Sequence, residues 1–220
     1  MTERLQKAYD YLKKAFDESE FLNRSENLEG KRYRFEHSIR VCKAGLRIAE
    51  GESFDVEKTE ALQIICLLHD IAYTLEFTEK QSWIDHGRTG AGMVRPFLEE
   101  LGYSGKLLDD MLFGIAIHAD GKADFEGEYN AFTRSVQNAD DIDRLNSIRV
   151  ISILRDKGFF EKNHDERLHV VWDLIGFFNW SKENIVYGTE TAKEILTEQI
   201  EVQTKFCQLL SDQEYITSWE

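Results

Sequence analysis

The most apolar helical segment of the chain is residues 56–70, VEKTEALQIICLLHD. Its apolar side chains occur on nearly every side of a helix rather than along one stripe, which is typical of a central, buried helix. The segment ends on His69 and Asp70, and an ionised carboxylate in such a place is costly unless it is paired or bound to a metal. The sequence therefore predicts a helical core with a charged group at its end that needs a partner.

Helical periodicity extends through most of the 220 residues on both sides of this segment. The other helices are expected at about residues 5–16, 34–50, 85–102, 107–118, 130–158 (one or two helices), 166–180 and 182–211. A polar connector is expected over residues 72–82 and a loop over residues 119–129. We therefore predict an all-α fold, with residues 1–220 forming a single domain that is a helical bundle of about eight helices.

The composition excludes several classes of protein. A single proline argues against a sandwich or barrel of short strands, which needs many turns. The three cysteines, Cys42, Cys66 and Cys207, are odd in number and widely spaced, so they form neither a disulfide framework nor a cysteine zinc site. No apolar run is long enough for a signal peptide or a membrane span, so we expect a cytoplasmic protein without membrane contact.

The chain is strongly acidic. Lys and Arg number 27 and Asp and Glu number 41, which gives a net charge of −14. Such a surface repels phosphate backbones at long range, so we expect no nucleic-acid partner. A small anionic substrate stays compatible with this charge, because a local cationic site can outweigh the mean field.

Several predicted helices each direct an imidazole or a carboxylate toward the core. These side chains are His37, His69 with Asp70, His118 and Asp140. A single inward histidine is most often satisfied by hydrogen bonds in the core. One core cannot easily satisfy several histidines and two aspartates in that way, whereas a metal centre does so directly.

The order of these residues resembles the HD-domain superfamily of metal-dependent phosphohydrolases. The motifs that bear the resemblance are EHSIRV around His37, LLHDIA around His69 and Asp70, and QNADDID around Asp140, within about residues 31–150. The resemblance implies an all-α fold in which these four residues hold a divalent metal.

Two further residues match the two-metal branch of that superfamily: His86 in DHGRTG and His118 in GIAIH. In this branch six side chains hold the metals, and the aspartate of the HD pair, here Asp70, bridges them. The mixed nitrogen and oxygen donors suit Fe, Mn, Co, Zn or Ni. The resemblance therefore implies two divalent metal ions and a metal-activated hydroxide that cleaves a phosphate ester of a small molecule, with nucleotides among the candidates.

The expected catalytic residues are Asp70 and Arg144. Arg144 lies four residues after Asp140 on the same helical face, where it could contact a phosphate. Weaker candidates for the same contact are Arg40, Arg88 and Lys122. His164 and His169 lie outside the matched region, and we interpret them as surface or structural residues.

Two other functions stay open at this point. Myo-inositol oxygenase and the phosphonate-cleaving oxygenases resemble the same six-ligand order, so a di-iron oxygenase is the alternative enzyme. A metal-stabilised helical module without activity is the second alternative. The segment HDIAYTLE lacks the Glu-Asp pair of (p)ppGpp hydrolases, and Tyr73 replaces the lysine of the cyclic-di-GMP branch. The sequence leaves the substrate, the native metal and the oligomeric state open.

Overall fold

The computed structural model describes residues 1–216, with ten α-helices and no β-strand in that range. The helices are α1 (Glu3–Glu18), α2 (Leu28–Gly51), α3 (Val56–Leu68), α4 (Lys80–Ile84), α5 (His86–Glu100), α6 (Gly105–Ile117), α7 (Ala131–Arg144), α8 (Ser147–Asp156), α9 (His164–Asn184) and α10 (Glu190–Ile216). The predicted all-α fold is confirmed. None of these helices combines the length and the hydropathy that crossing a bilayer requires.

The helices form two compact units. The first contains residues 1–140 and 188–192, and the second contains residues 141–187 and 193–220, described as far as residue 216. The boundary falls inside α7, whose last four residues belong to the second unit. The single domain over residues 1–220 stays a prediction, and its last four residues lie outside the described part of the chain.

Helix α3 is the centre of the first unit. Helices α1, α2 and α6 all pack against it, which explains why its apolar side chains point in nearly every direction. The Asp55 side chain caps the helix by accepting a hydrogen bond from the Lys58 amide at 2.8 Å. The helix ends at Leu68, so His69 and Asp70 directly follow it and lead into a short 3₁₀ turn, Ile71–Thr74.

Helix α5 continues through Pro96. A proline inside a helix removes one hydrogen bond to the carbonyl four residues earlier, here that of Gly92. Pro96 and Gly92 are both exposed on the helix surface, where water can bind this carbonyl. The loss is therefore tolerated without a break.

Glycines early in α5 let this helix approach α6 closely. A Cβ atom at Gly87 would lie 2.7 Å from the Ala116 carbonyl oxygen and 2.8 Å from that of Ile115. A Cβ atom at Gly90 would lie 3.2 Å from the His69 carbonyl oxygen, whereas one at Gly92 would have open space around it. Packing is thus the role of the first two glycines and not of the third.

The second unit is built from α8, α9 and most of α10. The Trp172 indole donates a hydrogen bond to the Ser211 hydroxyl at 3.2 Å, and the Gln203 amide donates one to the Ser147 hydroxyl at 2.7 Å. Helix α9 begins with a capping box between Asn163 and Glu166. These contacts join its helices by side chains as well as by apolar packing.

The two glycines give a matched test of the close approach between α5 and α6. We expect Gly87→Ala to lower the free energy of unfolding by about 1–3 kcal/mol, because its Cβ would overlap backbone carbonyls. Gly92→Ala, in the same helix, should raise it by about 0.5–1 kcal/mol, because alanine lowers the entropy of the unfolded chain. Urea denaturation followed by circular dichroism measures both. Equal stability of the two variants would contradict the close packing.

Candidate metal centre

The structure brings all six predicted metal-ligating side chains together in the first unit. His37 lies in α2, His69 and Asp70 directly follow α3, His86 begins α5, His118 directly follows α6, and Asp140 lies in α7. Their polar atoms form one connected cluster at separations of 3.0–3.9 Å. Segments far apart in the sequence thus meet at a single buried site.

The Asp70 carboxylate lies between two groups of imidazoles. Its Oδ2 atom is 3.5 Å from His37 Nε2, while its Oδ1 atom is 3.3 Å from His86 Nε2 and 3.4 Å from His118 Nε2. Two sets of potential ligand atoms therefore share Asp70, one with His37 and His69 and the other with His86 and His118. His69 Nε2, of the first set, is 3.6 Å from Oδ1. A carboxylate shared by two sets of ligand atoms could serve a cation in each set.

Asp140 lies on the side of the first set. Its Oδ1 atom is 3.2 Å from His37 Nε2 and 3.9 Å from His69 Nε2. The carboxylate is therefore close to the two imidazoles that the HD resemblance assigns to the same metal.

Three histidines are oriented in the same way, by the carbonyl three residues earlier in the chain. Nδ1 of His69 is 2.8 Å from the Cys66 oxygen, Nδ1 of His86 is 2.6 Å from the Trp83 oxygen, and Nδ1 of His118 is 2.6 Å from the Ile115 oxygen. A carbonyl oxygen only accepts, so each Nδ1 donates and each Nε2 of a neutral ring offers its lone pair to the cluster. For His69 and His118 these carbonyls lie in the last turns of α3 and α6, and the Ile115 oxygen also accepts a hydrogen bond from the His118 amide at 3.4 Å.

The Nε2 atoms also face one another in pairs. The distance is 3.3 Å between His37 and His69 and 3.0 Å between His86 and His118. Two nitrogen lone pairs repel at such distances unless a proton or a cation lies between them. Imidazole nitrogens with fixed Nδ1 partners, together with carboxylate oxygens, are a donor set that suits divalent transition metals. The residues present therefore fit the metal that the sequence resemblance implies.

Burial and charge set the protonation of the cluster. Burial lowers the pKa of His69 to about 4, so its ring is neutral and able to coordinate at neutral pH. Burial alone would raise the pKa of Asp70, but His69, His118, His86 and Arg34 beside the carboxylate together hold it well below its usual value. Burial opposes a charge on His118, yet Asp70 raises its pKa above the usual value. Asp70 is thus a buried anion that needs positive charge beside it.

Arg34 supplies part of that charge, and the sequence analysis missed it. It lies one helical turn before His37 in α2, and its Nη1 donates to Asp70 Oδ2 at 2.8 Å. Its guanidinium also lies over the Tyr73 ring, 3.5 Å from the ring centroid. The spacing of three residues, which places Arg34 and His37 on one helix face, was the available signal.

The arginines predicted to contact the phosphate lie beside carboxylates. Arg144 is the last residue of α7, and its side chain is 55% exposed and 3.7 Å from the Asp141 carboxylate. Arg88 donates to the Asp120 carboxylate at 2.8 Å and also binds Asp85. A contact of Arg144 with a phosphate therefore stays a prediction.

The remaining candidates occupy places that the structure defines. Arg40 lies 3.9 Å from the Glu36 carboxylate and over the Tyr33 ring. Lys122 lies in the loop after α6, as expected, and its carbonyl accepts a hydrogen bond from Arg88. His164 and His169 both lie in α9 of the second unit.

Comparisons with known proteins agree with this geometry. The family model described as HD domain matches residues 34–148, more than half of the chain. Among solved structures, the crystal structure of a predicted HD superfamily hydrolase from an uncultured Thermotogales bacterium is similar, with a TM-score of 0.60 and 18% identity. The match covers 95% of this chain and 92% of that chain. No curated protein matches the sequence.

Removal of either ligand of the second set should lower the metal content. We expect His86→Ala and His118→Ala each to reduce bound metal from about two ions per chain toward one, because each removes an imidazole from the same set. Elemental analysis of the purified protein measures this. His169→Ala, an exposed histidine of α9, should leave the metal content intact. Retention of both metals in the two variants would contradict a six-ligand centre.

Metal binding should also stabilise the fold. A ligand that binds only the folded protein contributes about 2.7 kcal/mol at a free concentration of one hundred times its Kd. We therefore expect manganese or cobalt to raise the Tm of the chelated protein, since the cation offsets the buried charge of Asp70. Differential scanning calorimetry with and without metal measures the shift. An unchanged Tm would show that the cluster binds no metal.

Proposed function

The chain belongs to the HD-domain family of metal-dependent phosphohydrolases, and we propose that it hydrolyses a phosphate ester of a small molecule, with nucleotides among the candidates. The observation that carries this proposal is the position of the Asp70 carboxylate, with one oxygen toward His37 and the other toward His86 and His118. This arrangement supports a centre for two cations rather than an isolated structural site.

The six clustered side chains would divide between two divalent ions. His37, His69, Asp70 and Asp140 would hold one ion, and Asp70, His86 and His118 would hold the other. Bound there, such ions lower the pKa of water toward neutrality and polarise a phosphoryl oxygen. Seven ligand contacts over two ions leave coordination positions for water and substrate.

The charge of this site would favour an anion in an otherwise acidic protein. The ligands are four imidazoles, neutral when they coordinate, and only two carboxylates. Two divalent ions would therefore leave an excess of positive charge, to which Arg34 adds its own. A phosphate group would be attracted at short range despite the net charge of −14.

Arg34 would act on the reaction through Asp70. Its hydrogen bond to Oδ2 at 2.8 Å fixes the rotation of the carboxylate, which keeps Oδ1 directed at His86 and His118. We keep Arg144 as the proposed contact for the phosphate group, on the grounds of its place one turn after Asp140.

Asp70→Asn tests the function directly. The amide is nearly isosteric but cannot bridge two cations with a full negative charge. We expect phosphate release from a panel of phosphate esters to fall by more than the roughly 10–100-fold typical of changes to groups outside the ligand shell. Release of inorganic phosphate with manganese or cobalt present is the measurement, and circular dichroism should show that the helices are retained.

The matched control is Asp109→Asn, an exposed aspartate on α6 that should keep full activity. Undiminished turnover in metal-loaded Asp70→Asn would overturn the bridging role. Oxygen uptake by the iron-loaded protein, with no phosphate released from any ester, would favour the di-iron oxygenase instead.

A further inference from the structure

Three aromatic side chains of the segment between α3 and α5 pack against one another. The ring centroids of Tyr73, Phe77 and Trp83 are 5.2–5.5 Å apart in all three pairs. We call these three rings the aromatic shelf. Trp83 is 46% exposed, and Leu75 and Ile84 of the same segment are exposed as well. A cluster of exposed apolar side chains commonly marks a binding surface.

The aromatic shelf adjoins the candidate metal centre. The Tyr73 and His86 rings have centroids 4.9 Å apart. The Trp83 carbonyl accepts the hydrogen bond from His86 Nδ1 at 2.6 Å, so the backbone of the shelf is tied to a proposed metal ligand. A molecule whose phosphate lies at the centre would therefore have its next few atoms close to these rings.

Arg34 links the aromatic shelf to the candidate metal centre, because it contacts both Tyr73 and Asp70. It lies 3.5 Å from the Tyr73 ring centroid and donates to Asp70 Oδ2 at 2.8 Å. This cation–π contact occupies a face of Tyr73 and fixes the ring relative to the carboxylate. The rings of Phe77 and Trp83 each contact the Tyr73 ring that Arg34 holds in place.

The indole of Trp83 is well placed for a further ring. Both ring contacts that Trp83 makes within residues 1–216 are inclined, at 55° to Tyr73 and 72° to Phe77. Neither is a parallel stack, and nearly half of the residue is exposed. A flat ring can therefore stack on its face, as nucleobases do on aromatic side chains.

We propose that the aromatic shelf binds a flat aromatic ring in the leaving group of the substrate. The substrate class is then phosphate monoesters in which an aromatic or heteroaromatic ring, such as a phenyl ring or a nucleobase, lies close to the ester. This inference rests on the proposed hydrolysis. The metal centre would bind the phosphate group of the substrate, and the aromatic shelf would select its leaving group. An aliphatic phosphate would reach the centre but would leave the shelf uncovered.

The test compares matched esters with and without a ring on the metal-loaded protein. The pairs are benzyl phosphate against ethyl phosphate, whose leaving groups have similar basicity, and a nucleoside monophosphate against the corresponding ribose phosphate. We expect the ratio of kcat/KM within each pair to favour the ring. Trp83→Leu keeps apolar bulk but lacks a ring, and it should reduce this ratio by about 10- to 100-fold, as loss of a base stack does.

Two further variants make the outcome specific. Phe77→Leu should reduce the ratio in the same direction, which keeps the test valid if Trp83→Leu folds poorly. Trp180→Leu replaces a tryptophan of α9 that is 62% exposed, and it should leave the ratio unchanged. A ratio that Trp83→Leu and Phe77→Leu leave unchanged would overturn the role of the shelf.

A binding measurement separates this inference from the proposed hydrolysis. Isothermal titration of the metal-loaded protein with benzylphosphonate and ethylphosphonate, which are not hydrolysed, should show tighter binding of the aromatic compound. If Trp83→Leu abolishes that preference while no ester is cleaved, the shelf is supported and the hydrolysis is wrong. If esters are cleaved but both phosphonates bind equally, the shelf is wrong and the hydrolysis stands.

Discussion

The first unit depends on one electrostatic constraint, the burial of the Asp70 carboxylate. Asp70 is only 3% exposed. An ionised carboxylate out of water is costly unless opposite charge and hydrogen bonds surround it. Arg34 binds one of its oxygens, while His86 and His118 lie close to the other. The four helices that carry these groups, α2, α3, α5 and α6, must therefore meet at Asp70. The need to neutralise this carboxylate thus fixes both the packing of these helices and the groups available at the centre.

Local chain geometry prepares the imidazoles for that role. His69 and His118 directly follow helices, and carbonyl groups of the last turn accept their Nδ1 protons. The same hydrogen bonds that complete the helix ends therefore leave the Nε2 lone pairs directed into the cluster. Gly87 lets α5 come close enough to α6 for His86 and His118 to face each other at 3.0 Å.

The segment between α3 and α5 links metal binding to the surroundings of the substrate. It begins at the 3₁₀ turn after Asp70, where the Tyr73 ring contacts the Arg34 guanidinium. It ends near Trp83, whose carbonyl accepts a hydrogen bond from His86. A proposed ligand, its orienting carbonyl and the exposed rings thus belong to a single stretch of about fifteen residues. A change of sequence there could alter the choice of substrate without altering the six clustered residues.

The sequence by itself determined the helical class, the central helix and the identity of the six clustered side chains. The first two follow from local periodicity, and the six residues follow from the order of polar residues together with the resemblance to the HD-domain superfamily; none of this needs knowledge of distant contacts. His37, His86 and Asp140 could be named from motifs, and the resemblance implied that Asp70 bridges two metals, but no feature of the sequence indicated how the Nε2 atoms pair.

Only the tertiary structure decided which charged and aromatic groups surround the cluster. The sequence analysis proposed Arg144 and did not consider Arg34, because spacing along one helix shows which face a residue shares and nothing about which other helix that face meets. It treated residues 72–82 as a polar connector, whereas Tyr73 and Phe77 pack with Trp83 beside His86. Contacts between segments distant in the chain arise from packing, and packing is not encoded in any local period of the sequence.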